Sequence, residues 1–583
     1  MSEAATVIEV SQEPPSPSAG ILLDSRRLTG ASMLLSRPGA MLETRLPPER
    51  KRRLMRRWFS WVERLYADLG WAGEEVVTRD QGPTQMLAAT APPAALLPAT
   101  FVLEQALDWA LLDPARPTLA AYHRAVDALM TRIARRADGW LDALVRSAQR
   151  HCAQLLIGER DISLGEGRAA VVFDDDDIPT PDSLDWSDKQ HRLPTVLVTG
   201  TNGKTTTSRI LARILKTAGH TVGFSCTDYV QVGDAILDRD DYSGPTGARM
   251  VLRHPEVTAA VLETARGGML RRGIQVRDAD VGIVTNVAAD HLGDGGIHDL
   301  AQLAEAKFTL VRGLHAEAPL VVNAEDRHCT RHARRLDRPL YWFAVKRPPR
   351  GLLKGAARTE ALLYREGSQL WLDRDGVREA LLPVSDLPIA FGGSAVHNIA
   401  NALAASAAAL ALRVEMEVIR TALRSFGASW LDNPGRANLF QIRGATVLAD
   451  YGHNPEGLAA IFAISAALPR QRLLISFGQA GDRTDQDIRN LADQVAAQRP
   501  DRVLVKEMLR MLRGRSPGEI PQLLSAQLKK RGLRPAQITV IDGDRAAVET
   551  ALDWLQPGDL AVLFIHQDSA TLLPELAALA TGS

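Results

Sequence analysis

Hydrophobic and polar residues are arranged in two different ways along the 583-residue chain, and the change lies near residue 190. Before it, apolar residues recur at helical spacing in segments such as 49–69 and 120–156, which predicts amphipathic helices. After it, short runs of Val, Ile and Leu alternate with helical segments, which is typical of a parallel sheet covered by helices. The sequence therefore predicts an α/β fold that follows a different kind of domain.

These patterns divide the chain into five segments. Residues 1–20 are predicted to be a disordered tail, and residues 21–169 a helical or α+β N-terminal domain in which the visible pattern is mostly helical. Residues 170–193 are predicted to be an acidic linker, with a metal site on four consecutive aspartates as the alternative. A central parallel-sheet domain is predicted at 194–429, and a C-terminal Rossmann-like α/β domain at 430–583.

Short apolar runs locate the strands of the two α/β domains. We predict strands at 195–200, 259–264, 281–287, 318–326, 446–452, 472–478, 502–507, 538–542 and 560–565. The longer apolar run at 399–412 is too short and too rich in alanine to cross a membrane, so it predicts a buried helix.

Composition narrows the classes of function. Lys and Arg total 69 and are balanced by 69 Asp and Glu, which argues against a nucleic-acid or membrane partner. Cys152, Cys226 and Cys329 lie far apart, which favours reduced thiols over disulfides or a zinc site. The N-terminus lacks the pattern of a signal peptide, and together these features predict a cytoplasmic protein.

The segment VLVTGTNGKTTTSRI at 196–210 is the strongest chemical signal. A predicted strand runs through a glycine-containing turn into an amphipathic helix, the context in which backbone N–H groups bind phosphate. Lys204 is placed to reach the β and γ phosphates, and Thr205 to bind Mg²⁺. Val198 stands where the common phosphate-binding loop has its first glycine, so the loop is a shortened variant.

The shortened loop resembles that of the Mur ligase family, which comprises ATP-dependent amide ligases of the Mur type, folylpolyglutamate synthetase and the C-terminal half of cyanophycin synthetase. Further motifs follow in the family's order: LETARGGMLRRG (262–273), TNVAADHLG (285–293), AEAKFTL (304–310), NAED (323–326), VHNIANALAA (396–405), NPGRANLF (433–440), DYGHNPEGL (450–458) and GDRTDQD (481–487). Several are closest to the cyanophycin synthetase branch, and the resemblance covers about residues 190–583.

The resemblance implies ATP and Mg²⁺ as cofactors and assigns roles to individual residues. Glu263 and His291 match metal ligands, together with Thr205, and Lys307 matches a lysine that many Mur ligases carbamylate. An unmodified lysine that contacts phosphate is the alternative. The residues implied in nucleotide binding are Thr201, Asn202, Gly203, Lys204, Thr205, Thr206, Asn398, Asn401, Arg436 and Asp450. The implied catalytic residues are Lys204, Glu263, His291, Lys307 and Arg436.

The sequence identifies the residues that bind the substrates less clearly. His453, Asn454, Asp482 and Arg483 are predicted at strand ends, where open α/β sheets bind ligands, although Asn454 and Asp482 are also typical turn residues. Arg510, Arg513 and Arg515 favour an anionic amine substrate such as Asp or Glu, with solvated surface charges as the alternative. The basic segment 50–57 resembles a polymer-facing surface or, alternatively, is the solvated face of an amphipathic helix.

The family reaction couples a carboxylate, activated as an acyl phosphate, to an amino acid or amine. An acidic peptide or a cyanophycin-like polymer is the implied carboxylate substrate, although the chain has no room for the synthetase's ATP-grasp domain. The alternatives are a catalytically weak, ATP-binding partner subunit of a polymer synthetase, a folate-type ligase and a wall-precursor ligase. A homo-oligomer is compatible with the sequence, which fixes neither the substrate pair nor the oligomeric state.

Overall fold

The computed structural model of the protein describes residues 17–113, 115–134, 139–158, 160–174, 177–290, 292–293, 295–349 and 358–581. The predicted tail up to residue 16, the aspartates 175 and 176, and His291 lie outside the described residues. Four sheets organise the rest, of four, three, eleven and six strands.

The N-terminal part is an α+β unit, which is the second of the two predicted possibilities and differs from the mostly helical pattern visible in the sequence. Its elements are β1 (Leu22–Leu28), β2 (Gly39–Thr44), α1 (Lys51–Asp68), β3 (Val76–Asp80), β4 (Gln85–Thr90), α2 (Leu96–Leu111), α3 (Leu119–Ala134) and α4 (Gly139–Arg150). The strands form an antiparallel sheet in the order β1-β2-β4-β3. Both β2 and β4 are buried at every position, so they lack the apolar–polar alternation that reveals a half-exposed strand.

The basic segment 50–57 has a structural partner. Arg50, Arg53 and Arg57 place guanidinium nitrogens 3.4, 2.6 and 3.1 Å from the carboxylate of Asp113, whose side chain is only 3% exposed. A carboxylate this deeply buried needs cations to compensate its lost hydration. The arrangement favours a helix that packs within the domain over a polymer-facing surface.

The predicted linker is partly a strand. A three-stranded antiparallel sheet consists of β5 (Leu155–Ile157), β6 (Asp161–Leu164) and β7 (Val171–Asp174), so ordered structure extends beyond residue 170. Within the described ranges, no group of three or more His, Cys, Asp or Glu residues forms a metal site. The aspartate run itself lies partly outside those ranges.

The central domain surrounds an eleven-stranded sheet. Its elements in chain order are β8 (Thr195–Thr199), α5 (Lys204–Thr217), β9 (Val222–Ser225), β10 (Val230–Val232), β11 (Ala235–Asp238), α6 (Pro245–Leu252), β12 (Ala259–Glu263), α7 (Arg266–Arg272), β13 (Val281–Val284), α8 (Leu300–Phe308), β14 (Leu320–Asn323), α9 (Arg327–Ala333), β15 (Pro339–Ala344), β16 (Arg358–Glu366), β17 (Gln369–Arg374), β18 (Val377–Pro383), α10 (Val396–Ala411) and α11 (Met416–Ser425). The strand order is β11-β10-β9-β12-β8-β13-β14-β15-β16-β17-β18.

A parallel core from β9 to β16 carries an antiparallel hairpin at each edge. The four strands predicted in this domain are confirmed as β8, β12, β13 and β14. The predicted buried helix is α10, whose alanines allow it to pack closely against α5 and the sheet. Within the described chain, no helix is long and apolar enough to cross a membrane.

The C-terminal domain is a second α/β unit, as predicted. It contains β19 (Asn438–Ile442), β20 (Ala445–Asp450), α12 (Pro455–Ala467), β21 (Leu473–Phe477), α13 (Asp485–Ala497), β22 (Arg502–Glu507), α14 (Glu519–Lys530), β23 (Ile538–Asp542), α15 (Gly543–Trp554), β24 (Leu560–Phe564) and α16 (Ser569–Thr581). The order is β19-β20-β24-β21-β22-β23, and only β19 runs antiparallel to its neighbour. The carboxyl ends of this sheet and of the central sheet line a common cleft.

Candidate active site

The common cleft has a volume of about 1800 Å³ and is lined by all three folded parts. It opens beyond the carboxyl ends of β8, β12, β13, β20 and β21. Open α/β sheets bind ligands at these ends, because loops and helix N-termini converge there. Of the described residues predicted for the site, all except Arg510 and Arg515 line the cleft: Thr201, Asn202, Gly203, Lys204, Thr205, Thr206, Glu263, Lys307, Asn398, Asn401, Arg436, Asp450, His453, Asn454, Asp482, Arg483 and Arg513.

The phosphate-binding loop connects β8 to α5 by a turn that accepts only glycine at two positions. Gly203 has φ +83°, and a Cβ atom there would lie 2.2 Å from Oδ1 of Asn401. A Cβ on Gly200, where φ is +152°, would lie 1.7 Å from Oγ1 of Thr285. Since Gly203 is also the N-cap of α5, no side chain caps the helix. The first-turn N–H groups therefore suit an anion.

The loop after β13 holds this turn in place. The carbonyl of Asn202 accepts hydrogen bonds from Thr285 Oγ1 (2.7 Å) and Asn286 Nδ2 (2.9 Å), and the Asn202 N–H donates to Asn286 Oδ1 (2.9 Å). A turn fixed in this way needs little rearrangement to bind phosphate. Thr285 and Asn286 belong to the TNVAADHLG motif, but sequence reasoning assigned them no role.

Glu263, at the end of β12, is 1% exposed. Its Oε2 accepts a hydrogen bond from Thr205 Oγ1 (2.8 Å), and its Oε1 accepts one from Thr227 Oγ1 (2.9 Å). Lys204 Nζ lies 4.0 Å from Oε1 and donates to the carbonyl of Thr201 at 3.1 Å. A buried carboxylate and a hydroxyl are hard oxygen donors of the kind that Mg²⁺ prefers, so this pair fits the ion. Sequence reasoning missed Thr227.

Lys307 lies on α8 and is only 3% exposed. Burial, followed by the charge of Lys204, lowers the pKa of its amino group well below the usual range, while Asp290 opposes the shift. Within the described part of the chain, its amino group makes no hydrogen bond or ion pair. The structure therefore places a buried lysine of lowered pKa beside the phosphate-binding loop.

Asn398 and Asn401 lie on the buried face of α10, against the phosphate-binding loop. Asn401 Oδ1 accepts from Thr207 Oγ1 at 3.3 Å, and its Nδ2 donates to Asn398 Oδ1 at 3.3 Å. Asn398 Nδ2 donates to the carbonyl of Ile389 at 3.0 Å. Part of their hydrogen-bonding capacity therefore supports the loop, and contact with adenine stays a prediction.

Arg436 and Asp450 lie where the C-terminal domain begins. The Arg436 guanidinium carbon is 4.6 Å from the centroid of the Tyr451 ring, and its Nη2 is 3.7 Å from Asp228 Oδ2. Asp450 accepts hydrogen bonds from the N–H groups of Ala437 (2.8 Å) and Gly452 (2.5 Å), and burial raises the pKa of its carboxyl. Asp450 thus braces the segment that carries Arg436, and the predicted ribose contact stays a prediction.

A buried arginine joins the central helix to this segment and was not predicted. Arg209 on α5 donates from Nη1 to Asn433 Oδ1 (3.1 Å) and to the carbonyl of Pro434 (2.9 Å). Its Nη2 donates to Asp228 Oδ2 at 2.7 Å. The helix that begins at the phosphate-binding loop is thereby tied to the start of the C-terminal domain.

Three of the four substrate-side candidates, His453, Asn454 and Arg483, contact the central domain across the cleft, whereas Asp482 pairs with Arg513. Asn454 Nδ2 donates to Asn202 Oδ1 at 2.9 Å, while its Oδ1 caps α12 by accepting from the Gly457 N–H at 2.8 Å. Arg483 Nη2 lies 3.1 Å and His453 Nε2 3.9 Å from the carboxylate of Asp290. Asn454 therefore both stabilises a helix start and contacts the phosphate-binding loop.

The three arginines near residue 510 have different environments. Arg515 forms ion pairs with Asp485 (2.8 Å) and Glu519 (2.6 Å). The side chain of Arg510 is 75% exposed and lies 3.6 Å from the carboxylate of Asp568. Arg513 lines the cleft and forms an ion pair with Asp482. Of these arginines, Arg513 alone is placed to face a substrate.

The N-terminal domain also contributes to the cleft, which sequence reasoning did not predict. Asp24, Ser25 and Arg26 of β1 line it beside Arg266 and Arg271 of α7. The N–H of Thr29 donates to the carbonyl of Arg272 at 2.7 Å, which fixes β1 against α7. The part of the cleft that β1 and α7 line thus contains several arginines, of which Arg26 is paired with Asp24.

Two family descriptions match the chain, the Mur ligase middle domain at residues 198–409 and the Mur ligase glutamate ligase domain at residues 435–564. A cyanophycin synthetase of Crocosphaera subtropica is 37% identical over 391 residues, which cover 66% of this chain and 44% of that protein. The chain thus spans less than half the length of this relative. The UDP-N-acetylmuramoyl-L-alanyl-D-glutamate–2,6-diaminopimelate ligase of Thermosynechococcus vestitus is 27% identical over 417 residues, covering 69% of this chain and 75% of that protein.

Among solved structures, E. coli FolC in complex with DHPP and ADP is similar, with 21% identity and a TM-score of 0.48 over 66% of this chain and 89% of that one. The two family descriptions together match more than half of the 583 residues, and they cover the two domains that meet at the cleft. The chain belongs to the Mur ligase family.

Proposed function

We propose that the protein is an ATP-dependent amide ligase, which activates a carboxylate as an acyl phosphate and couples it to an amino acid or amine. One observation carries the proposal. The phosphate-binding loop, the Thr205–Glu263 pair and Lys204 share a cleft with Arg436, His453 and Asn454 of the other α/β domain. A nucleotide and two further substrates therefore have room to meet between the domains.

The proposed reaction has two steps. A carboxylate oxygen of the acid substrate bonds to the γ-phosphorus of ATP while the bond to the leaving ADP oxygen breaks. The amine nitrogen then bonds to the acyl carbon, phosphate leaves with the former carboxylate oxygen, and the amine releases a proton. Lys204 and Arg436 would screen the repulsion between the phosphate and carboxylate charges. Thr205 and Glu263 would hold Mg²⁺, which supplies further charge screening when bound.

Closure between the domains supports the same reaction. Asn454 contacts Asn202 of the phosphate-binding loop, and Arg209 ties α5 to the segment before Arg436. An acyl phosphate is readily hydrolysed, so a cleft that closes over it protects the intermediate from water.

For Lys307 we propose carbamylation. An amine must be neutral to attack CO₂, and burial lowers the pKa of Lys307 towards that state. The resulting carbamate would be an anionic oxygen donor close to the Thr205–Glu263 pair. Incubation with ¹³C-bicarbonate and ¹³C NMR tests this: a carbamate signal that Lys307→Met abolishes is expected, and its absence would favour an unmodified lysine.

We propose an acidic peptide or polymer as the carboxylate substrate, by similarity to the cyanophycin synthetases, and a small amino acid as the amine. The α7 arginines that line the cleft, Arg266, Arg271 and Arg272, support a substrate with several carboxylates. Arg513 supports an amine substrate that carries a carboxylate.

Phosphate release from ATP, measured over a panel of carboxylates and amines, tests the proposal. We expect release that requires one acceptor pair and that falls at least about 10²-fold in Lys204→Ala, which removes a phosphate contact. Lys216→Ala is the matched control, since Lys216 lies on the same helix and pairs with Asp234 at the surface. Nucleotide binding without acceptor-dependent release would instead support a partner subunit of low catalytic activity.

A further inference from the structure

A buried charged cluster lies beside the cleft, and the chemistry proposed above does not use it. It consists of Lys506 on β22, Asp544 in the first turn of α15 and His566 just after β24. Their exposed fractions are 1%, 2% and 9%. Burying an ion pair costs hydration free energy, and its partners must be well hydrogen-bonded to offset that cost.

Hydrogen bonds in the cluster fix the tautomer of His566. The Lys506 ammonium donates to the Asp544 carboxylate, to the carbonyl of Phe564 and, at 3.1 Å, to Nδ1 of His566. An ammonium group only donates, so Nδ1 accepts and the ring proton lies on Nε2. Nε2 then donates to the carbonyl of Gly452 at 3.0 Å. Burial and Lys506 lower the pKa of His566 to about 3, in agreement with a neutral ring.

Asp544 orders the chain that carries His566. Its Oδ2 accepts hydrogen bonds from three successive N–H groups, those of His566 (2.9 Å), Gln567 (2.6 Å) and Asp568 (3.2 Å). Its Oδ1 is the partner of Lys506. The imidazole is therefore held through both its backbone and its ring.

Gly452 connects this cluster to the nucleotide site. It lies in the loop between β20 and α12, residues 451–454, and a Cβ atom there would lie 2.9 Å from Cε1 of Phe564. Its N–H donates to Asp450, and its carbonyl accepts from His566. Two residues further on, Asn454 contacts Asn202 of the phosphate-binding loop. Hydrogen bonds within the C-terminal domain thus hold the 451–454 loop, and Asn454 brings this loop into contact with the phosphate-binding loop.

We propose that Lys506, Asp544 and His566 are positioning residues that hold the 451–454 loop against the phosphate-binding loop. Lys506 sets the tautomer of His566, His566 fixes the carbonyl of Gly452, and this places Asn454 on Asn202. The inference depends on the proposed function only in that ATP occupies the cleft.

Two substitutions of His566 separate the positioning bond from packing. His566→Gln offers an amide N–H near the position of Nε2, whereas His566→Asn is too short to reach Gly452. Hydrogen exchange of residues 451–454, measured without nucleotide, is expected to be up to about tenfold faster in His566→Asn, because the loss of one hydrogen bond costs up to about 1.4 kcal/mol, which corresponds to a factor of ten. His566→Gln is expected to stay within about threefold of the wild type.

Affinity for a non-hydrolysable ATP analogue gives the second measurement. We expect about tenfold weaker binding for His566→Asn and for Asn454→Ala, and no further loss in the double variant, because both act through the Asn454–Asn202 contact. Arg472→Met is the matched control: it breaks an ion pair with buried Asp559 at the opposite end of the same sheet, and should lower stability without changing affinity.

Additive losses, equal effects of Gln and Asn at position 566, or unchanged exchange in His566→Asn would each overturn the inference. A wild-type protein that binds no nucleotide would contradict the proposed function, and the exchange measurement would still decide the role of the cluster.

Discussion

Replacing Glu263 with glutamine separates the proposed metal site from the stability of the fold. The substitution keeps the shape of the side chain but removes the negative charge that lies 4.0 Å from Lys204 Nζ and accepts from Thr205. Two unit charges at that distance interact by about 4 kcal/mol at an effective dielectric constant of about 20. Mg²⁺ carries two positive charges, and removing its hydration water offsets part of its attraction to the carboxylate. We therefore expect Glu263→Gln to lose about 3 kcal/mol of the binding free energy that Mg²⁺ contributes.

That loss corresponds to a decrease of about 10²-fold in the factor by which Mg²⁺ raises the affinity for ATP. The assay is calorimetric titration of a non-hydrolysable ATP analogue with and without Mg²⁺. The glutamine leaves the mostly buried Lys204 ammonium without its carboxylate neighbour, so the free energy of unfolding should also fall, by about 1–3 kcal/mol. Glu256→Gln, on the exposed loop before β12, is the control. An equal enhancement of analogue binding by Mg²⁺ in Glu263→Gln and in the wild type would refute the metal site.

Three further changes test other parts of the structure. In bicarbonate-free buffer, where Lys307 is unmodified, Lys307→Met should raise the free energy of unfolding at pH 7 by about 1–2 kcal/mol, since the buried amine opposes folding there. Because the pKa of Lys307 in the folded state lies below 10.5, the wild type gains stability as the pH rises towards 10.5. Urea unfolding should therefore show that the difference in unfolding free energy between Lys307→Met and the wild type becomes smaller over that range. A difference that stays constant with pH would contradict burial of the amine as its cause. Arg513→Ala should raise KM for the amine substrate about tenfold, while Arg510→Ala changes it by less than about twofold, and equal effects would remove Arg513 from the substrate site. Asp113→Asn should lower the free energy of unfolding by about 1–2 kcal/mol, because Asp113 and the three arginines around it stabilise the N-terminal domain. Nucleotide affinity should stay unchanged, and weaker nucleotide binding would instead link the basic segment to the cleft.

Local patterns in the sequence predicted the features that depend on neighbouring residues. The strand, turn and helix around Gly203 are consecutive in the chain, and the apolar runs of β8, β12, β13 and β14 are buried on both sides, so each is visible without the rest of the fold. The strands β1 to β4 were missed because the buried strands β2 (GAMLET) and β4 (QMLAAT) contain Gly, Ala, Met and polar residues in place of a run of Val, Ile or Leu.

Such local patterns do not predict contacts between residues that are far apart in the sequence. Asn454 and Asn202 are 252 positions apart, and Lys506 meets His566 across 60 positions. Thr227 lies in a short loop after β9 and has no motif that would mark it as a partner of Glu263. The pairing of strands and the packing of the two α/β domains bring these residues together, and neither follows from periodicity.

The transfer of oxygen from the carboxylate to phosphate tests the proposed ligase most directly. An aspartate oligomer with ¹⁸O in its carboxylates would be incubated with ATP, Mg²⁺ and each standard amino acid, and both products analysed by mass spectrometry. A new amide and one ¹⁸O atom in each phosphate released with it are expected, because the carboxylate oxygen leaves with the phosphoryl group. An amide product accompanied by unlabelled phosphate would contradict activation through an acyl phosphate.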